Sequence, residues 1–157
     1  MMPKQKTLSN KEIRNFFLEL PSEFSQKVPK KGLFLVKDIE KTTILFINKK
    51  PYFFKVDNAW IPTLFALKDF NLELKKVTVD KGAIPFIVNG ADVMRPGITN
   101  VDDFSENETV QIIDQNNYVA IAIGKALFDS EKIKAMSSGK VIKNLHYVGD
   151  DIWKQNE

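Results

Sequence analysis

Residues 77–99 read VTVDKGAIPFIVNGADVMRPGIT. Val77 and Val79 alternate with polar neighbours as in a strand, and Asp80 can cap a helix start through its side-chain oxygen. Gly82 and Ala83 lead into a short apolar turn through Ile84, Phe86, Ile87 and Val88. Asn89-Gly90 ends that turn, as expected where the backbone needs positive φ. Val93 and Met94 return to an extended path, and Arg95-Pro96-Gly97 closes it with a turn signature. The stretch therefore predicts strand, one-turn helix, glycine loop, strand and turn, with a small exposed loop at the rim.

Downstream, residues 100–109 are polar and contain Asp102, Asp103, Glu106 and Glu108, which predicts an exposed loop. Residues 110–114 and 118–124 predict a hairpin across Gln115-Asn116-Asn117. In its second strand Val119, Ile121 and Ile123 alternate with Ala120 and Ala122, giving one bulky face and one small one. A helical turn is expected at residues 130–134. Two short strands follow, at 141–142 and 145–148, and Trp153 is expected to plug the core of this second half.

Upstream, Ser9 and Glu12 have the spacing of a capping box. Ile13, Phe16, Phe17 and Leu20 follow on one helical face, which a globular helix buries, and Pro21 ends the helix. Residues 1–8 read as a frayed start. Three strands are expected at 33–39, 42–47 and 52–56, with turns at 38–41 and 48–51. A helix is expected over 60–67, opening near Pro62. The division is an α+β domain over residues 1–76 and a mostly-β domain over residues 77–157.

Bulk composition excludes more than it identifies. The 157 residues are 43% apolar and 27% charged, as in a soluble globular protein. There is no cysteine and a single histidine, His146. Disulfides, thiolate chemistry and the usual zinc sets are thus excluded. Neither Gly124-Lys125 nor Gly139-Lys140 has the earlier glycine of a phosphate loop. With no secretory signal or membrane-length apolar run in view, a cytoplasmic protein without a cofactor is expected. The net charge of +3 divides unevenly. Residues 1–76 hold 15 Lys and Arg against 8 Asp and Glu, whereas residues 77–157 hold 8 against 12. A basic first half suggests a surface facing a polyanion, the alternative being a lysine-rich solvated face.

The pattern Asp80-Lys81-Gly82-Ala83-Ile84, Gly90-Ala91 and Met94-Arg95-Pro96-Gly97-Ile98 resembles the opening of a PUA domain, a small pseudo-barrel RNA-binding module. Gly124, Ser130-Glu131, Gly139, Asn144-Leu145-His146-Tyr147, Asp150 and Trp153 are similar to its C-terminal half. With Pro62-Thr63-Leu64 upstream, the chain resembles the two-domain malignant-T-cell-amplified-sequence translation factor family. The short start and the lack of cysteine suggest an archaeal-type member. The resemblance implies an α+β N-terminal domain followed by a PUA pseudo-barrel. It also implies a non-catalytic, ribosome-associated role, contacting tRNA or small-subunit rRNA. Possible partners are the small ribosomal subunit and a protein with an initiation-factor-like domain. The rival readings are an accessory subunit of an RNA-modification enzyme and a protein-interaction module.

Carried over by position, the resemblance marks Lys81, Gly82, Asn89, Gly90, Ala91, Val93, Met94 and Arg95 as RNA-binding. Lys143, His146 and Tyr147 are expected on the facing strand. Glycines let a phosphate approach backbone N–H groups while Lys81 and Arg95 supply charge. The same residues have plainer readings: backbone geometry for the glycines, core for Val93 and Met94, and a structural histidine at 146. Because the second half is acidic, Lys30, Lys31, Lys49, Lys50 and Lys125 are expected to add attraction for the RNA.

Overall fold

The protein is described, over residues 4–157, from a computed structural model. Contacts divide the described residues into two units, the chain up to residue 73 with 151–157, and residues 74–150. The second unit begins at residue 74, just before the strand that opens at residue 75. The last seven residues return to the first unit.

In the first unit, β1 (Gln5–Thr7) pairs with β2 (Phe34–Ile39), so the expected frayed start is a strand from residue 5. The rest of that expectation, at residues 1–3, lies outside the described residues. Next comes α1 (Asn10–Glu19). The Glu12 N–H donates to Ser9 Oγ (3.2 Å) and the Ser9 N–H to Glu12 Oε1 (3.0 Å), so the capping box is complete. A four-residue helix, α2 (Ser22–Ser25), follows Pro21. Then β2, β3 (Thr42–Ile47), β4 (Lys50–Val56) and β5 (Ala59–Pro62) complete a five-stranded antiparallel sheet.

Two hairpins turn through paired positive φ angles, at Asn48-Lys49 (51° and 74°) and Asp57-Asn58 (50° and 64°). That is the turn geometry whose twist suits adjacent antiparallel strands. Residues 60–62 were expected in a helix but lie in β5, and α3 (Leu64–Asp69) starts only after Thr63. The Ala66 N–H donates to Thr63 Oγ1, while Pro62 still faces Phe53 across the sheet. Phe16 packs edge-on against Phe17, Phe34, Phe53 and Trp60, with centroids 5.1 to 6.3 Å apart, and forms the core. Trp153, on the C-terminal turn Asp151–Lys154, stacks on Phe65 at 4.6 Å. It therefore closes the first unit rather than the second.

The second unit is a six-stranded sheet in the order β7-β11-β10-β9-β6-β8. The strands are β6 (Lys75–Val79), β7 (Val93–Met94), β8 (Ile98–Val101), β9 (Thr109–Asp114), β10 (Ala120–Ala126) and β11 (Lys140–Tyr147). Helices α4 (Ile84–Ile87) and α5 (Ser130–Ala135) complete it. All pairings are antiparallel except β6 with β9, where Val79 faces Asp114. Register shifts interrupt four of the pairings and curl the sheet.

Residues 141–142 and 145–148, expected as two strands, lie almost wholly in the single strand β11. Residues 121–124 are all buried, so the alternation read in β10 does not divide a wet face from a dry one. Gly124 has no room for a side chain, since a Cβ there would stand 2.5 Å from Ile142 Cγ2. The loop expected at 100–109 is anchored by buried Phe104, whose N–H donates to Ser130 Oγ.

Candidate nucleic-acid interface

The elements of residues 77–99 enclose a cleft of about 570 Å³, lined by Asp80, Gly82, Phe86, Met94 and Lys140 among others. One wall starts where β6 ends. There the Asp80 N–H donates to the Gly97 carbonyl (2.9 Å), and the Ala83 N–H donates to Asp80 Oδ1 (3.0 Å). These bonds fix the path of Lys81 and Gly82 between them. Gly97 lies so close to this wall that a Cβ on it would approach Ala83 Cβ to 2.9 Å.

The opposite wall depends on β11. Asn144 Nδ2 donates to the carbonyls of Ile87 (3.0 Å) and Ala91 (2.9 Å), gripping the loop after α4 at both ends. Its backbone N–H donates to Asp92 Oδ1 (2.7 Å), and Lys140 Nζ lies 3.0 Å from Asp92 Oδ2. Burial alone would raise the Asp92 carboxyl. The Asn144 N–H and the Lys140 ammonium outweigh it and hold the group below the ordinary aspartate value. Gly90 has φ of +97°, and a Cβ there would meet the Tyr147 hydroxyl at 3.1 Å. The glycine thus serves both the turn and the close approach of Tyr147.

The residues marked from the sequence fall into three groups. Gly82, Ala91, Val93 and Met94 line the cleft, although Val93 is buried and only Met94, 50% exposed, offers a large side chain. Lys81, Asn89 and Lys143 are exposed around it, and Tyr147 is half-buried behind Gly90. Lys125 and Lys143 are cross-strand neighbours on β10 and β11.

Two marked side chains point elsewhere. Arg95 Nε donates to the Ile133 carbonyl (2.6 Å) and its Nη1 to that of Ile98 (3.3 Å). It thereby ties the last turn of α5 to β8, a position suited to a cation. His146 is 0% exposed, with Nδ1 2.9 Å from Asp150 Oδ2. Its ring is an internal hydrogen-bond partner and does not reach the surface. Among the lysines of the first unit, Lys50 is paired with Asp69 (2.7 Å), and Lys30 Nζ donates to the Ser25 carbonyl. Lys31 and Lys49 are exposed.

Sequence reasoning missed Phe86, Asp92, Lys140 and Asn144. Phe86 had a legible signal. In a one-turn helix Ile84 and Ile87 share a face, so Pro85 and Phe86 between them must point away. Phe86 is 68% exposed at the mouth of the cleft. The clasp made by Asn144 and Asp92 joins residues 52 positions apart, and no local pattern reports it.

Among the described residues no three His, Cys, Asp or Glu side chains gather as a metal site would require. No helix there is long and apolar enough to cross a membrane.

Comparison with known proteins places a pre-PUA-like domain over residues 3–70 and a PUA domain over residues 75–148. An uncharacterized protein of Methanocaldococcus jannaschii is 40% identical, covering 96% of this chain and 95% of its own. Malignant T-cell-amplified sequence 1 of Rattus norvegicus is 31% identical over 94% and 87% of the two chains. Translation machinery-associated protein 20 of Saccharomyces cerevisiae is 29% identical over 95% and 86%. Among solved structures, a hypothetical protein of Pyrococcus horikoshii superposes with a TM-score of 0.81 at 31% identity, covering 98% of this chain and all of that one. Both halves, their order and nearly their full lengths are shared with these proteins. The chain belongs to the family that joins a pre-PUA-like domain to a PUA domain, together with the translation machinery-associated and malignant T-cell-amplified-sequence proteins.

Proposed function

We propose that this is a non-catalytic RNA-binding protein of the translation apparatus, which takes an unpaired segment of tRNA or small-subunit rRNA into the PUA cleft. The observation that carries the reading is Phe86. An aromatic ring 68% exposed at the mouth of a built cleft is what base stacking requires. Met94 adds a polarizable apolar surface, and Lys81 and Lys143 provide cations nearby for the backbone phosphates. The clasp from Asn144 to Asp92 and Lys140 keeps the walls in place without RNA, which lowers the ordering cost of binding. A relative named for its association with the translation machinery supports that setting.

The test is a titration of the full chain with total tRNA and with purified small subunits, at two salt concentrations. Phe86→Ala is expected to weaken binding by about 5- to 150-fold, the range for loss of one stacked base. Undiminished binding by that variant would move the site out of the cleft. Failure of the wild type to bind either RNA would overturn the reading. Partners that co-purify after nuclease treatment would then favour a protein-interaction module.

A further inference from the structure

The hairpin between β9 and β10 ends in Gln115-Asn116-Asn117-Tyr118 and is held by side-chain and backbone hydrogen bonds. Asp114, buried, accepts from the Asn116 N–H at Oδ1 (2.8 Å) and from Asn117 Nδ2 at Oδ2 (3.1 Å). The Tyr118 N–H donates to the Asp114 carbonyl (2.8 Å), and the Asp114 N–H to that of Val119 (2.9 Å). The Gln115 N–H donates to the Val79 carbonyl (3.0 Å), which fixes the tip to the end of β6.

This scaffold holds Tyr118 at φ of +55°, a left-handed conformation that is unfavourable for an aromatic residue. The ring gains nothing from burial in return, being 80% exposed, with Val119 beside it at 57%. A single exposed apolar side chain needs no explanation. One displayed from a strained and fully braced turn does.

Its position supplies that explanation. Strands β6 and β9 run parallel as neighbours, with Val79 facing Asp114. The chain leaves Val79 as Asp80-Lys81-Gly82, the cleft wall, and leaves Asp114 as the hairpin tip. The two therefore emerge from the same end of adjacent strands, about 5 Å apart. The exposed side chains of the tip are amides and a tyrosine, with no exposed carboxylate among residues 115–118 to repel phosphate. From these observations we infer that Tyr118 is a second stacking platform, which receives a base of the same RNA strand after that strand leaves the cleft past Lys81. Asn116 and Asn117 are placed to hydrogen-bond its base or ribose edges. This deepens the RNA-binding reading of the cleft and rests on it.

The experiment measures fluorescence anisotropy of a labelled single-stranded trinucleotide and decanucleotide RNA with the full chain. Tyr118→Gly removes the ring and suits the positive φ, so the turn is not strained by the change. It is expected to weaken the decanucleotide about fivefold or more and to leave the trinucleotide unchanged. Tyr118→Phe should bind like the wild type, and Phe86→Ala should weaken both RNAs. Wild-type affinity of Tyr118→Gly for the decanucleotide, with Phe86→Ala still impaired, would overturn this inference and leave the cleft reading standing. If the wild type bound neither RNA, both would fall together.

Discussion

Asp92 shows how one side chain supports a wall of the cleft. It accepts from the Asn144 N–H and faces the Lys140 ammonium, and its carboxyl lies below the ordinary aspartate value despite burial. Because the folded group gives up its proton more readily than the unfolded one, it stabilises the fold above the ordinary value. That contribution is lost as the pH falls below about 4. Thermal melts from neutral to acid pH should therefore show less acid destabilisation in Asp92→Asn than in the wild type. Equal acid sensitivity would mean that the clasp does not contribute. At this scale the sequence was least legible. It supplied the residue types at 82, 90, 95 and 146, yet burial and hydrogen bonding decide what each does. Arg95 was marked as a phosphate ligand by its position in the PUA resemblance and by its charge. Only the fold reveals the Ile133 and Ile98 carbonyls that hold its guanidinium.

Elements were more legible, because caps and turns are local. Ser9 with Glu12, Gly90 and the turn at Arg95-Pro96-Gly97 all occur where their chemistry predicts. The errors arose where a tertiary partner outweighed a local signal. Pro62 resembled a helix start, but pairing with Phe53 kept residues 59–62 in the sheet. The C-terminal turn is the clearest case, since aromatic periodicity cannot name the ring that Trp153 meets. Its stack on Phe65 gives it a role in a unit that otherwise ends at residue 73. Trp153→Ala should destabilise that first unit by roughly 1–3 kcal/mol, less than for a fully buried tryptophan. Hydrogen exchange should then quicken at the α3 and β4 amides while β9 and β10 keep their protection. Faster exchange in β9 and β10 instead would assign the tryptophan to the second unit.

Across the whole molecule, the asymmetry of charge bears on RNA affinity. The PUA half is acidic, yet phosphate binding draws much of its strength from cations, and Asp80 and Asp92 line the cleft itself. Lys140 is engaged with Asp92, and Lys50 in the first unit with Asp69, so neither is a ready phosphate ligand. Lys31 and Lys49 are exposed and lie in the basic half. If they contribute attraction, replacing both with alanine should leave the stacking contacts of the cleft intact and change only the electrostatic part of binding. The plot of log affinity against log salt should then become shallower by about 0.7 for each lysine that meets a phosphate of a single strand. The measurement is a salt series with the wild type, the double variant and Phe86→Ala. The lysine variant should alter the slope, whereas Phe86→Ala should shift the line downward at nearly constant slope, because stacking releases no counterions. An unchanged slope in the double variant would assign the cationic contacts to lysines other than Lys31 and Lys49, with Lys81 and Lys143 beside the cleft the first to test.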